Sequence, residues 1–278
     1  MKYHVSTHYL KNYMDNQNLN SNANVMPDDS QEIFIPDGQS LSSSEGVKWI
    51  GQAWQLTKDK WGMWILLYII YSICIAGFVL IPFIGIFAGL LNPVFIGGII
   101  AVCEKQRTTG EFELGLLFNG FQKNFASLLG VGALTFGIIL LGVIALFMGG
   151  GSAVLHILLA VQHGEISAEV LKNGLSSLLL SLFILMVFLI VNAALTWFAP
   201  ALIVIHNLKF DAAISMSLAA VRKNLLPGLL FFITSAIIFI ISIMTFGLGF
   251  LISIPILLVS YYSSYRSIFI GKDKSSTF

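Results

Sequence analysis

The chain has 278 residues, 56% of them hydrophobic and only 10% charged, with a formal net charge of +1. A soluble domain carries about 25% charged residues, so most of this surface does not face water. Cys74 and Cys103 are the only cysteines and lie in apolar tracts, which excludes a disulfide framework or thiolate metal centre. Near-neutral charge with scattered basic residues excludes a nucleic-acid partner.

Residues 1–45 are rich in Asn, Ser, Asp and Gln and have little to bury, so they are predicted to form a disordered polar tail. They hold no stretch apolar enough for a signal peptide, and the first span is expected to drive insertion. A transmembrane domain is expected over 46–270, followed by a short tail, 271–278. Asp, Glu, Lys and Arg are absent from Trp61 to Cys103, Asn124 to Gly164, Asn173 to Leu208 and Asn224 to Tyr265. About 20 apolar residues cross the hydrocarbon core. The outer tracts therefore hold two spans each and the middle tracts one each. The spans fall at roughly Gly62–Ile81, Ile84–Cys103, Phe125–Phe147, Leu175–Phe198, Leu225–Met244 and Phe250–Phe269. Pro82 marks the first hairpin turn, and Gly247 and Gly249 the last. Gly149 to Gly174 reads as a loop in which Ala153–Val161 is apolar enough for a short interfacial or re-entrant helix.

Each pair of spans is preceded by an amphipathic segment. Lys48, Gln52, Gln55 and Asp59 make a polar stripe before the first pair. Leu114, Leu117, Phe121 and Phe125 make an apolar face before the second, and Ile214, Leu218, Val221 and Leu225 before the third. That spacing suits a helix lying in the membrane interface. The fold class expected is an all-α membrane protein: six transmembrane helices as three hairpin units, each led by a cytoplasmic interfacial helix. Parallel units of this kind are related by an axis along the membrane normal.

Fourteen of the 15 basic residues fall on the side shared by both termini and the even-numbered connections; Lys172 alone lies opposite. Positive charge is retained in the cytoplasm, so both termini are predicted to be cytoplasmic and the location to be a bacterial inner membrane.

The order of features resembles an uncharacterised family of bacterial multi-pass integral membrane proteins, itself distantly similar to the membrane domain attached to some glycerophosphodiester phosphodiesterases. The matching stretches are Trp54–Trp61, Ile81-Pro82 with Gly85, Asn92-Pro93, Leu116–Phe121, Trp197-Phe198-Ala199-Pro200, Ala219–Asn224 and Tyr261–Phe269. The resemblance implies a helical membrane domain and brings no activity; without the catalytic domain, phosphodiesterase chemistry is not implied.

Candidate sites are few. His156, His163, Glu165 and Glu169 bear metal-ligand chemistry, yet the two histidines are seven apart, looser than the i,i+4 pair of a helical zinc site. Solvated side chains are the simpler reading, and no metal, cofactor or catalytic residue is expected. Gly149–Gly151 lacks the Lys-Ser/Thr of a phosphate loop and reads as the flexible start of a loop. Gly85-x-x-x-Gly89 and Gly97-Gly98 permit close helix approach, inside the chain or in a homodimer. Pro93, Pro200 and Pro255 kink spans, either for packing or to expose carbonyls along a substrate path. Trp61, Trp64, Trp197, Tyr261, Tyr262 and Tyr265 read as an aromatic belt. Beside them Lys58, Lys60, Lys123, Arg222, Lys223 and Arg266 form a basic collar, where each charge attracts anionic lipid by about 1 kcal/mol.

The function these features support is a non-enzymatic inner-membrane protein that organises anionic lipid, or a membrane-protein partner, through the collar. The alternative is a transporter or channel for a small or lipid-like solute that uses the proline-kinked helices.

Overall fold

The computed structural model describes residues 32–80, 85, 88–163 and 167–272. The chain divides into two units. One comprises Met1–Ile33 with Lys272–Phe278, of which Glu32, Ile33 and Lys272 are described; the other, Phe34–Gly271, holds every described helix.

Eleven α-helices form among the described residues: α1 (Glu45–Thr57), α2 (Trp61–Leu80), α3 (Ala88–Thr109), α4 (Asn119–Gln122), α5 (Phe125–Leu146), α6 (Ser152–His163), α7 (Ala168–Thr196), α8 (Ala199–His206), α9 (Phe210–Lys223), α10 (Leu225–Met244) and α11 (Phe250–Phe269). Short strands β1 (Glu32–Phe34) and β2 (Ile270–Lys272) bracket them. Five helical stretches are long and apolar enough to cross a membrane: Glu45–Leu80, Ala88–Thr109, Phe125–His163, Ala168–His206 and Leu225–Met244. The architecture is that of an all-α protein suited to multiple membrane passes. A helix, α11, forms over the residues of the sixth expected span but is not among the five. Its second half runs Ser-Tyr-Tyr-Ser-Ser-Tyr-Arg from Ser260 to Arg266, and Tyr262, Ser263, Ser264 and Tyr265 are buried. This half packs against protein, so its composition need not suit lipid.

The three amphipathic segments are α1, a 3₁₀ turn (Leu114–Phe118) with α4, and α9. Each packs on the hairpin of the unit before it. The turn and α4 lie on α3 of the first hairpin, and α9 lies on α7 and α8 of the second. Helix α1, which leads the first unit, closes on α10 and α11 of the last. Within Phe34–Gly271 the helix contacts thus close into a ring, with α1 against the last two helices. Small residues allow the close approach. A Cβ at Gly46 would lie 1.9 Å from the Pro227 carbonyl oxygen, and one at Gly98 would lie 1.9 Å from that of Leu117. On α9 the buried face is Ala213, Ser217 and Ala220.

Helices α3, α8 and α11 supply much of the buried core and carry Pro93, Pro200 and Pro255, all of them buried. Pro93 and Pro255 sit inside continuous helices. Pro200 lies in the first turn of α8, where a missing N–H costs nothing. There the chain breaks between α7 and α8, and the Ser217 hydroxyl accepts from the Phe198 N–H (3.1 Å) and donates to the Ala194 carbonyl (3.2 Å).

Two expectations change. The loop expected at 149–174 is helical over its described residues, except at Ser167. Helix α5 runs through a wide π-type turn (Phe147–Gly151) into α6, and α6 packs along α7. The apolar segment at 153–161 therefore extends a hairpin instead of lying apart as an interfacial or re-entrant helix. Gly149 and Gly174 are contact points: a Cβ would meet Ser181 Oγ at 2.3 Å and Ile157 Cδ1 at 2.6 Å. The first arm runs through Phe125–His163, 39 residues, about 58 Å at 1.5 Å per residue, and α7 of the second has 29, about 44 Å, against a hydrocarbon core of about 30 Å.

The second change concerns the expected tail, 1–45. Residues 1–31 lie outside the described residues, but Phe34–Leu41 is a strap bonded to the helices. Amides of Ile35 and Gln39 donate to the carbonyls of Phe269 and Ile268 (both 2.8 Å), and the Gln39 side chain donates to that of Ser267 (2.7 Å). The last carbonyls of a helix have no partner within it, and the strap supplies partners for three of α11's. Gly38 turns the strap at φ +61°, and a Cβ there would lie 2.9 Å from Ile268.

Candidate functional site

The ends of α3, α8 and α11 meet the starts of α2 and α5 at one end of the bundle, joined by polar contacts. Lys60 donates to the Gly110 carbonyl (2.5 Å), and Asn124 donates its amide to Asn207. Both asparagines adopt left-handed backbone conformations (φ 59° and 53°), which asparagine tolerates better than most residues.

All six collar residues fall at this end, in different roles. Lys58, Lys123 and Arg222 are exposed. Lys60 is tied to Gly110, and the Lys223 ammonium donates to the carbonyls of Asp37 (2.8 Å) and Gly38 (3.2 Å), holding the strap. Arg266 is half-buried and lines a cleft.

That cleft, of about 500 Å³, lies between α1, α3 and α11. It is lined by Gln52, Gln55 and Leu56, by Arg107, and by Tyr262, Ser263, Arg266 and Ser267. Spacing explains its α11 wall: Tyr262 and Arg266 are one turn apart, as are Ser263 and Ser267, so the two pairs share a face. On its α3 wall, Arg107 Nη2 donates to Glu104 Oε1 (2.6 Å) and Arg107 Nε to the Tyr262 hydroxyl (3.0 Å). Tyr262 in turn donates to Glu104 Oε2 (2.5 Å). Gln106 fixes α3 to the first unit, accepting from Trp64 Nε1 (3.0 Å) and donating to the Leu56 carbonyl (2.6 Å). The Ser267 hydroxyl donates to the Ser263 carbonyl (3.0 Å) and, more loosely, to Gln52 Oε1 (3.3 Å).

Among these, Arg266 stands out in the sequence as collar, Tyr262 and Trp64 as belt, and Gln52 and Gln55 as part of the polar stripe of α1. Tyr262 and Trp64 are buried bonding partners instead of lipid-facing anchors, and so is Tyr265, whose hydroxyl pairs with His206 Nε2 (2.5 Å). Trp197 stacks on Tyr261 at 4.6 Å and donates to Ser264 Oγ (3.2 Å). Glu104, Arg107, Gln52 and Gln55 are not legible as one site, because their meeting depends on α1 closing the ring.

Other candidates lie elsewhere. His156 and His163 are exposed on α6 and Glu169 is exposed on α7; Glu165 lies outside the described residues. Among the described residues no three His, Cys, Asp or Glu side chains group as a metal site would require. Gly97 packs against Leu128 and Val204, and Gly98 against Leu117, both inside the chain, whereas Gly89 faces open space.

The class these features define is a polytopic helical bundle closed at one end by a basic, polar cleft. No known protein family, no curated protein and no solved structure matches the chain.

Proposed function

We propose that the chain is a non-enzymatic, six-span protein of a bacterial inner membrane, with both termini in the cytoplasm, that organises anionic lipid through its basic end. The observation that carries this reading is the exposure of Lys58, Lys123 and Arg222, each within three residues of the start of a long apolar helix (Trp61, Phe125 and Leu225). Exposed cations beside the hydrocarbon boundary attract anionic headgroups by about 1 kcal/mol each, roughly fivefold in local enrichment per charge. The resemblance to bacterial multi-pass membrane proteins agrees with this placement and adds no activity. The transporter reading draws less support, because Pro93, Pro200 and Pro255 all sit in packed protein.

The test changes Lys58, Lys123 and Arg222 together to Gln. Lys223 is left intact, since its loss would also release the strap. The lipid extracted with the protein in polymer-bounded nanodiscs should lose several-fold of its phosphatidylglycerol enrichment over bulk membrane. Wild-type enrichment in the triple variant would overturn the reading.

A further inference from the structure

We infer that the groove between α2, α3 and α4 holds one acyl chain of a glycerophospholipid, whose ester carbonyl accepts a hydrogen bond from Asn92. This goes beyond the lipid-organising reading. It rests on the membrane placement in that reading but not on the charge of the collar.

The groove has a volume of about 540 Å³ and is lined by Cys74, Gly77 and Phe78 of α2, by Phe95 of α3, and by Phe118 and Phe121 on the segment that follows. Helical spacing builds its walls. Cys74 and Phe78 share a face of α2 with Tyr71, and Phe95 lies one turn from Asn92 on α3. The rings of Phe118 and Phe121 stand edge-on to Phe95, with centroids 6.1 and 5.0 Å away. Gly77 keeps the space open, since a Cβ there would meet nothing within 4 Å. It serves no helix contact, unlike Gly98. Apart from the Cys74 thiol the lining is apolar or aromatic, so a charged or hydroxylated ligand would give up its water without return. A hydrocarbon chain gives up nothing.

The polar group beside the groove selects which chain. The Tyr71 ring meets Phe95 at 5.9 Å, and its hydroxyl donates to Asn92 Oδ1 (2.7 Å). Asn92 is exposed, and its Nδ2 donates to nothing among the described residues. Helices α2 and α3 both belong to stretches long and apolar enough to cross a membrane. In that placement the amide faces hydrocarbon, where an unmade N–H bond is costly. The acceptors a bilayer carries closest to its hydrocarbon are the esters that join acyl chains to glycerol. A transmembrane helix of another copy would bring carbonyls already bonded within its own backbone, and so fits the amide less well. Hydrocarbon contact alone gives no preference over bulk lipid. The hydrogen bond gives one, and Tyr71 holds the amide in place to make it.

Native mass spectrometry of the full chain in detergent, supplied with equal amounts of diacyl and dialkyl-ether phosphatidylglycerol, isolates the ester, because the two share headgroup and chain length. The most tightly held lipid should be the diacyl form by about fivefold. Asn92→Leu should bring that ratio near one. Gly77→Phe, whose ring enters open space, should remove the tight lipid at an unchanged melting temperature, and so tests the groove even if Asn92→Leu folds poorly. The collar triple variant should keep the ester preference. Equal retention of the two lipids by the wild-type chain, or an unchanged preference in both Asn92→Leu and Gly77→Phe, would overturn the assignment. So would a dimer abolished by Gly77→Phe, which would seat a second copy in the groove. A collar variant that keeps its phosphatidylglycerol enrichment would instead strike the broader reading and leave this one standing.

Discussion

The hairpin of α5, α6 and α7 and the basic end of the bundle use opposite means to hold helices together. Along the hairpin, Leu179, Leu180 and Phe183 are more than half exposed, and contact is made through glycines: Gly142 against Leu185 and Phe188, Gly149 and Gly150 against α7, Gly174 against Ile157. At the basic end, contact runs through hydrogen bonds among Glu104, Arg107, Tyr262, Gln106 and Trp64. Lipid tails are as apolar as leucine, so an apolar side chain gains little by choosing protein over lipid. Shape decides the partner in the hairpin; donors and acceptors decide it at the basic end.

The largest effect should come from forcing a side chain between backbones that touch. Gly98→Leu puts a Cβ 1.9 Å from the Leu117 carbonyl oxygen and should cost about 3 kcal/mol or more. Its control, Gly89→Leu, points into open space and should leave the protein intact. Size-exclusion profiles and melting temperatures in detergent compare the two, and equal behaviour would show that the contact at Gly98 is not required.

Next in size is Tyr262→Phe, which removes the hydroxyl shared by Glu104 and Arg107. Hydrogen bonds to charged groups contribute about 1.5–3 kcal/mol, so a loss of about 2 kcal/mol is expected in thermal unfolding. A melting curve matching wild type would mean that water replaces the hydroxyl without penalty.

A smaller effect is expected from Phe34→Ala. The Phe34 ring stacks on His206 at 3.7 Å, and aromatic pairs add about 0.5–1.5 kcal/mol. Amide exchange at Ile35 and Gln39 should quicken while the exchange of α10 stays unchanged. If both change together, the strap and the bundle are one cooperative unit.

Least of all should follow from Leu179→Ala and Leu180→Ala, where lipid contacts merely shorten. The shift expected is within about 0.5 kcal/mol. A large loss would place a protein surface against this face of α7.

The same contrast explains how much could be read from the sequence. Charge-free tracts located the apolar helices, and helical spacing located α1, α4 and α9, because both signals are local. The ring was not legible, since α1 meets α10 and α11 across most of the chain. Gly149–Gly151 suggested a loop because glycine both frees a backbone and admits a neighbour; only the presence of Ser181 and Leu178 shows which applies. At the cleft, Arg266 was read as part of a surface collar and Tyr262 as an anchor. The clue available was serine and tyrosine recurring one turn apart along α11, at Ser263, Ser267 and around Tyr262, a polar face too regular for lipid. What no local signal supplied was Glu104 and Arg107 opposite it.

Closure of the ring by α1 also bears on synthesis. Thr57 ends α1, and the helix that receives it ends at Phe269. A ribosome adding about 5–20 residues per second takes roughly ten to forty seconds to travel between them. Through that interval Trp49 and Ala53, buried in the finished protein, lack their destination. The helix that leads the bundle is therefore among the last to complete its contacts.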